Sequence, residues 1–124
     1  MQTYIGEVPG LGRGVFAARD LQQGEVIEVC AVLAIPPEQV QYLDKTGLHA
    51  YYYAWGHDLK GAAIALGHGS LYNHSYQPNA RYLKHLENGT IEFICLNDVK
   101  KGEEIRVNYN GDPSDQTPTW FETS

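Results

Sequence analysis

A mostly-β fold of short strands, with little helix and much loop, follows from three features of the 124-residue chain. Thirteen glycines punctuate it, several runs are rich in Val, Ile and Phe, and Asn88-Gly89 is a strong hairpin signal between two such runs. In chain order, Val15–Ala18 and Glu25–Ile35 read as strands. Pro36-Pro37 ends the second, and Pro37 opens a short helix through Leu43, because proline tolerates the first helical turn. Leu48–Trp55 is aromatic and fits strand or helix by its periodicity. Asn88-Gly89 predicts a two-residue type I′ turn joining Ala80–Glu87 to Thr90–Leu96. Glu104–Tyr109 reads as the last strand, and Asn110–Ser124 turns to Gly, Pro, Asp and Thr before ending near Trp120-Phe121.

One stretch is echoed. Arg19–Val29 and Asn97–Val107 share five of eleven residues at an offset of 78. Each is an Asp-led turn, a glycine and then a strand. The echo is too short for a solenoid repeat and predicts two similar turn-into-strand units in one sheet system.

Size and charge bound the function. The length suits one domain with its own core, and 43% apolar with 19% charged residues is a globular composition. No apolar run approaches the ~20 residues of a membrane helix. The start, Met1-Gln2-Thr3-Tyr4, shows no secretory signal, so the expected compartment is the cytoplasm. The net charge is −6, and residues 91–124 carry seven acids against three bases, a net of −4. That argues against direct nucleic-acid binding and suits a basic partner; simple solubility explains it as well. Cys30 and Cys95 lie in apolar runs without Cys-x-x-Cys spacing and read as buried free thiols. The five histidines lack the paired spacing of structural zinc, so no metal is expected.

Three segments carry chemistry. Gly10-Leu11-Gly12-Arg13-Gly14 is a glycine loop entering a strand; alone it is an ordinary tight turn, and it lacks the βαβ context of a dinucleotide loop. Asn73-His74-Ser75 within Ser70–Asn79 is a hydrogen-bonding loop, and its adjacent His and Ser do not suit nucleophilic catalysis. Glu104–Tyr109 is a strand that ends in a tyrosine, a common packing or hydrogen-bond anchor.

In this order and at these separations the three resemble the motifs of the SET-domain family of protein-lysine methyltransferases. Gly12-x-Gly14 resembles the family's first motif. Asn73-His74-Ser75-x-x-Pro78-Asn79 resembles its Asn-His-Ser-Cys-x-Pro-Asn motif, and Glu104-Ile105-x-x-Asn108-Tyr109 its Glu-Leu-x-x-Asp-Tyr motif. The likeness runs from about Gly6 to Gly111, so residues 1–111 are expected to form the SET domain and 112–124 a tail over the active site. The short length and Ala65-Leu66-Gly67 before the second motif look most like compact stand-alone members of viral and bacterial type.

The resemblance implies several small sheets with short helices and a knot-like C-terminal threading. It also implies S-adenosyl-L-methionine as cofactor and a lysine-containing, basic protein as substrate. The compartment would be nuclear or nucleoid-associated if that substrate is histone-like. Carried over, Gly12, Arg13, Gly14, Tyr51, Asn73, His74 and Trp120 would hold the cofactor. Tyr53, Tyr72 and Val107 would line the lysine channel, and Tyr109 would be catalytic, orienting the amine more than acting as its base. A catalytically weak module that binds peptide or cofactor is the alternative. The chain departs from the family at Tyr76, where many members have a zinc-binding cysteine, and no cysteine-rich segment follows Tyr109. Trp120-Phe121 is the expected substitute for that zinc-dependent lid. Arg13 replaces a common aromatic, and Val107 a common Phe or Tyr. A homodimer is expected from the apolar run Leu48–Gly67 and from the dimeric state of related stand-alone members.

Overall fold

The computed structural model describes residues 2–119. Two sheets dominate these residues. β1 (Thr3–Val8), β2 (Gly12–Ala17), β6 (Asn73–His74) and β9 (Glu104–Val107) form one, in the order β1-β2-β9-β6. β3 (Val26–Ile35), β4 (Tyr53–Trp55), β5 (Gly61–Ala65), β7 (Ala80–His85) and β8 (Thr90–Cys95) form the other, in the order β4-β5-β3-β8-β7. The core is built from inward residues of both, including Val15, Ile91, Phe93, Ile105 and Val107, and from Tyr72 just before β6. This is the mostly-β architecture the composition predicts.

The helix α1 occupies Pro37–Leu43, with proline in its first turn and no buried residue. The ambiguous aromatic run divides: a 3₁₀ turn, Gly47–Ala50, is capped by the Thr46 hydroxyl accepting from Leu48 N, and β4 follows. The predicted two-residue turn is corrected. His85 pairs with Thr90, so the loop is Leu86–Gly89. A type I′ turn needs positive φ at both central residues. Only Gly89 has it, at 65°, while Asn88 N and Gly89 N close onto the carbonyls of His85 and Leu86. The last strand ends at Val107 rather than Tyr109. There the Asn108 side chain accepts from Asn110 N and donates to the Asp115 carbonyl at 2.6 Å, turning the chain away.

The echoed segments meet face to face. Leu21 and Val99 form a two-way antiparallel bridge, with N–O distances of 2.7 and 2.8 Å. The Asp20 carboxylate accepts from Lys101 N, and the Asp98 carboxylate accepts from Gln23 N, both at 2.8 Å. Gly24 and Gly102, at φ 83° and 89°, donate to the carbonyls of Cys95 and Ala17. Every one of these contacts maps onto its counterpart by the 78-residue offset, so the unit has an approximate two-fold axis. Cys30 and Cys95 are free and buried, and burial pushes their thiols up to about 12 and about 11.

Candidate active site

β9 brings the three motifs together. It lies antiparallel to β2, pairing Val15 with Ile105, and parallel to β6, pairing Asn73 with Arg106 and His74 with Val107. Asn73 Nδ2 donates to the Arg13 carbonyl at 3.0 Å and to Glu104 Oε2 at 2.7 Å, tying the glycine loop to the second and third motifs. Arg106 holds the same carboxylate from Nε at 2.7 Å and Nη2 at 2.6 Å. Gly14 is required here by space. A Cβ would collide with Glu104 Oε2 and fall 2.8 Å from Asn73 Nδ2 and 2.9 Å from Val8 Cγ2. Gly12 is required by conformation, at φ 89°. The Arg13 side chain is exposed, and its backbone carbonyl makes the contact with Asn73.

His74 fixes the tyrosine that follows β9. Its Nδ1 accepts from Tyr109 N at 3.0 Å, and its ring lies against those of Tyr76 and Tyr109, with centroids 4.4 and 5.2 Å away. Beside it opens a cavity of about 730 Å³, walled by Tyr51, Tyr53, Tyr72, Tyr82, Lys84 and Tyr109 among others. Each of three tyrosines in this wall commits its hydroxyl proton to a backbone carbonyl: Tyr53 to Gly69 at 2.6 Å, Tyr82 to Tyr109 at 3.1 Å and Tyr109 to Tyr72 at 2.7 Å. Burial, then the neighbouring Tyr51 and Glu104, push the Tyr109 phenol up to about 12, and burial and Tyr109 do the same for Tyr82. Both are neutral across the physiological range.

The sequence-predicted residues are distributed unevenly. Gly12, Gly14, Asn73, His74 and Tyr109 converge on β9. Tyr51 is exposed at the cavity wall, and Tyr53 packs across the Tyr82 ring at 4.9 Å. Tyr72 borders the cavity, but its ring is buried against Phe93 and its hydroxyl donates to Glu28 at 2.7 Å. Val107 does not line the cavity. It alternates inward from β9 and is fully buried in the core. Trp120 and Phe121 lie outside the described residues.

Tyr82 was not predicted. Its signal was available: it sits two residues after Ala80 in a strand whose alternate side chains face inward. Glu104 carries no role in the sequence beyond its place in the third motif, although its carboxylate joins Asn73 to Arg106. Among the described residues there is no cluster of three metal-ligating side chains, and no helix long and apolar enough to cross a membrane.

The fold and this motif junction define a SET domain. The SET domain family matches residues 12–110. The chain belongs to that family. It is 36% identical over 112 residues to the Schizosaccharomyces pombe histone-lysine N-methyltransferase, H3 lysine-37 specific, a match covering 90% of this chain and 71% of that protein. The Arabidopsis thaliana histone-lysine N-methyltransferase ASHH2 is 29% identical over 80% of this chain, but only 6% of its own length is matched. Among solved structures, a Plasmodium falciparum protein designated a histone methyltransferase superposes with a TM-score of 0.72 at 29% identity, covering 89% of this chain and 98% of that one. The ctPRC2 complex bound to S-adenosylmethionine shares the fold, with a TM-score of 0.73 at 19% identity over 98% of this chain and 16% of that one. The family and these relatives place the chain in the methyltransferase class of enzymes.

Proposed function

We propose that the protein transfers a methyl group from S-adenosyl-L-methionine to a lysine side chain of a basic protein. The observation that carries this reading is the Tyr109 phenol in its aromatic cavity, with its proton committed to the Tyr72 carbonyl. The residues present suit the cofactor. Gly12 holds an open left-handed backbone, Gly14 leaves the strand bare beside Asn73, and the Asn73 and His74 side chains lock both neighbouring motifs in place. Gly12–Gly14, Asn73 and His74 would hold it, and it would supply the methyl group on a sulfonium.

The chain's own residues do the rest. A free lysine of pKa near 10.4 is neutral in only about one molecule in 2,500 at pH 7. An aromatic cavity disfavours the ammonium by desolvation. Tyr109, whose proton already points to Tyr72, can only accept from the amine and so orients its lone pair. A phenol raised to about 12 is no general base at neutral pH, so its work is positioning. The test is radiolabelled methyl transfer to core histones and other basic proteins. Transfer to a lysine supports the reading, and cofactor binding without transfer to any protein overturns it in favour of a binding module.

The finer elements belong to the same proposal. The segment from Asp112 closes over the second motif: Tyr76 donates to the Thr117 carbonyl at 3.3 Å and Asn110 Nδ2 donates to it at 2.8 Å. Deleting residues 118–124 should weaken cofactor or peptide binding without unfolding the domain, read by calorimetric titration. The kinship with compact viral and bacterial members rests on Ala65-Leu66-Gly67 before the second motif. A homodimer is supported by the exposure of Leu33 at 56% and Leu66 at 43%, tested by light scattering against the 13.8 kDa chain mass. The compartment follows the substrate: nuclear or nucleoid-associated for a histone-like protein, otherwise cytoplasmic.

A further inference from the structure

We propose that Lys84 is a specificity residue that reads a carboxylate on the substrate, an aspartate or glutamate side chain close in sequence to the target lysine. The inference rests on the methyl-transfer reading above and adds the substrate's local chemistry to it.

Lys84 lies on β7, two residues beyond Tyr82, so both side chains share the inward face of the strand. Both wall the cavity that contains Tyr109. β7 and β4 are opposite edges of the five-stranded sheet, yet Lys84 Nζ donates to the Ala54 carbonyl of β4 at 2.6 Å. The sheet therefore curls until its two edges face each other, with this ammonium at the gap.

The ammonium has three N–H donors. Among the described residues its one hydrogen-bond acceptor is the Ala54 carbonyl, and no carboxylate lies within ion-pair distance. Burial alone pulls its pKa down from the usual lysine range; no neighbouring anion offsets it. Arg81, on the same wall, differs. It is exposed; the Asp112 carboxyl nearby is held below the usual range by the Ser114 N–H and hydroxyl, with the Arg81 charge a lesser contribution. Arg81 is an exposed, solvated cation, whereas Lys84 is half-buried with a carbonyl as its partner.

A half-buried cation without a counter-charge is unfavourable, and a carboxylate entering the cavity relieves it while using the two remaining donors. Distance sets which carboxylate. Lys84 lies two residues, about 6.6 Å along β7, from Tyr82, whose hydroxyl donates to the Tyr109 backbone carbonyl, so Lys84 and Tyr109 wall one cavity that a target lysine and its neighbours would enter together. The acidic side chain therefore belongs to a residue flanking the target lysine.

The test uses the full chain with short C-terminally amidated peptides, each carrying one lysine in an alanine–glycine background. Glutamate or glutamine is placed at each position from three before to three after that lysine. Expected is a kcat/KM ratio of about ten for glutamate over glutamine at one or two positions. The ratio falls to about one in Lys84→Met, is kept in Lys84→Arg, and drops below one in Lys84→Glu. Each ratio is internal to one variant, so lost stability cancels. Anisotropy with labelled glutamate and glutamine peptides should show the same ratios in affinity without turnover. A wild-type ratio of one at every position, or one unchanged in Lys84→Met, overturns the inference while methyl transfer stands. If no peptide and no basic protein is methylated, the methyl-transfer reading falls and this inference with it.

Discussion

The paired turns around Leu21 and Val99 and the cavity around Tyr109 treat polar groups in opposite ways. In the turn pair, each aspartate caps a backbone N–H of the other turn, and each glycine amide reaches a carbonyl across the axis. The unit satisfies itself. In the cavity, the Tyr53, Tyr82 and Tyr109 protons are committed to carbonyls, which leaves those hydroxyl oxygens as acceptors, while Lys84 keeps donors without an anion. One region spends its polar chemistry on the fold, and the other leaves it for a ligand. Substitutions in the first should lower stability and spare activity, and those in the second should do the reverse.

Gly14→Ala should break that division most strongly, because Gly14 supports both strand pairing and the Asn73–Glu104 contact. Overpacking of this kind costs about 3 kcal/mol, and cofactor affinity should fall with it. Denaturant midpoints and calorimetric titration read the two losses, and an alanine variant with wild-type values in both would show that the junction yields easily. Tyr109→Phe should respect the division. We expect turnover to fall by more than about tenfold with cofactor affinity little changed, since only the hydroxyl that orients the amine is lost; single-turnover rates decide, and unchanged rates remove Tyr109 from its role.

The third comparison is by pH. Tyr82 and Tyr109 titrate at about 12 in the fold instead of the ordinary 10, and Cys30 and Cys95 at about 12 and 11 instead of 9. These acids are raised, so the unfolded chain loses their protons first. Their contribution is complete below about pH 9 and is lost as pH rises from there toward 12. Urea midpoints should be level between pH 7 and 8.5 and fall above about 9; a level profile to 11 would contradict the burial of these groups. The smallest effect tests the symmetry. Asp20→Ala and Asp98→Ala should each cost about 1 kcal/mol, equally within error, with methyl transfer unaffected. Unequal costs would mean the two turns are not energetically equivalent.

The local signals that were legible in sequence share a physical basis: they are made by neighbouring residues. Pro37 started a helix at its first turn, and the echo announced two like turns. What the sequence did not disclose depends on partners distant along the chain. The two turns face each other only because Val99 returns to Leu21. Val107 and Tyr109 are two residues apart, yet one is core and the other cavity wall, because Asn108 bends the chain between them. Tyr82 acquires its place from a hydrogen bond to Tyr109, 27 residues later. The 3₁₀ turn and β4 share one aromatic run because Thr46 caps the first and β5 pairs with the second.

The position of β9 carries a consequence for how the molecule is made. It is the last strand among the described residues but lies inside its sheet, between β2 and β6. On a ribosome, the β1–β2 hairpin and the Asn73–His74 strand emerge well before the segment that joins them. Until residues 104–107 arrive, the edge of β2 is unpaired, and unpaired edges invite association with other chains. Closure is then a late, non-local event, and topologies of that kind fold slowly. The chain's C-terminal third thus acts as a keystone in time as well as in space: a nascent chain halted near residue 100 would present all of the glycine loop and no pocket.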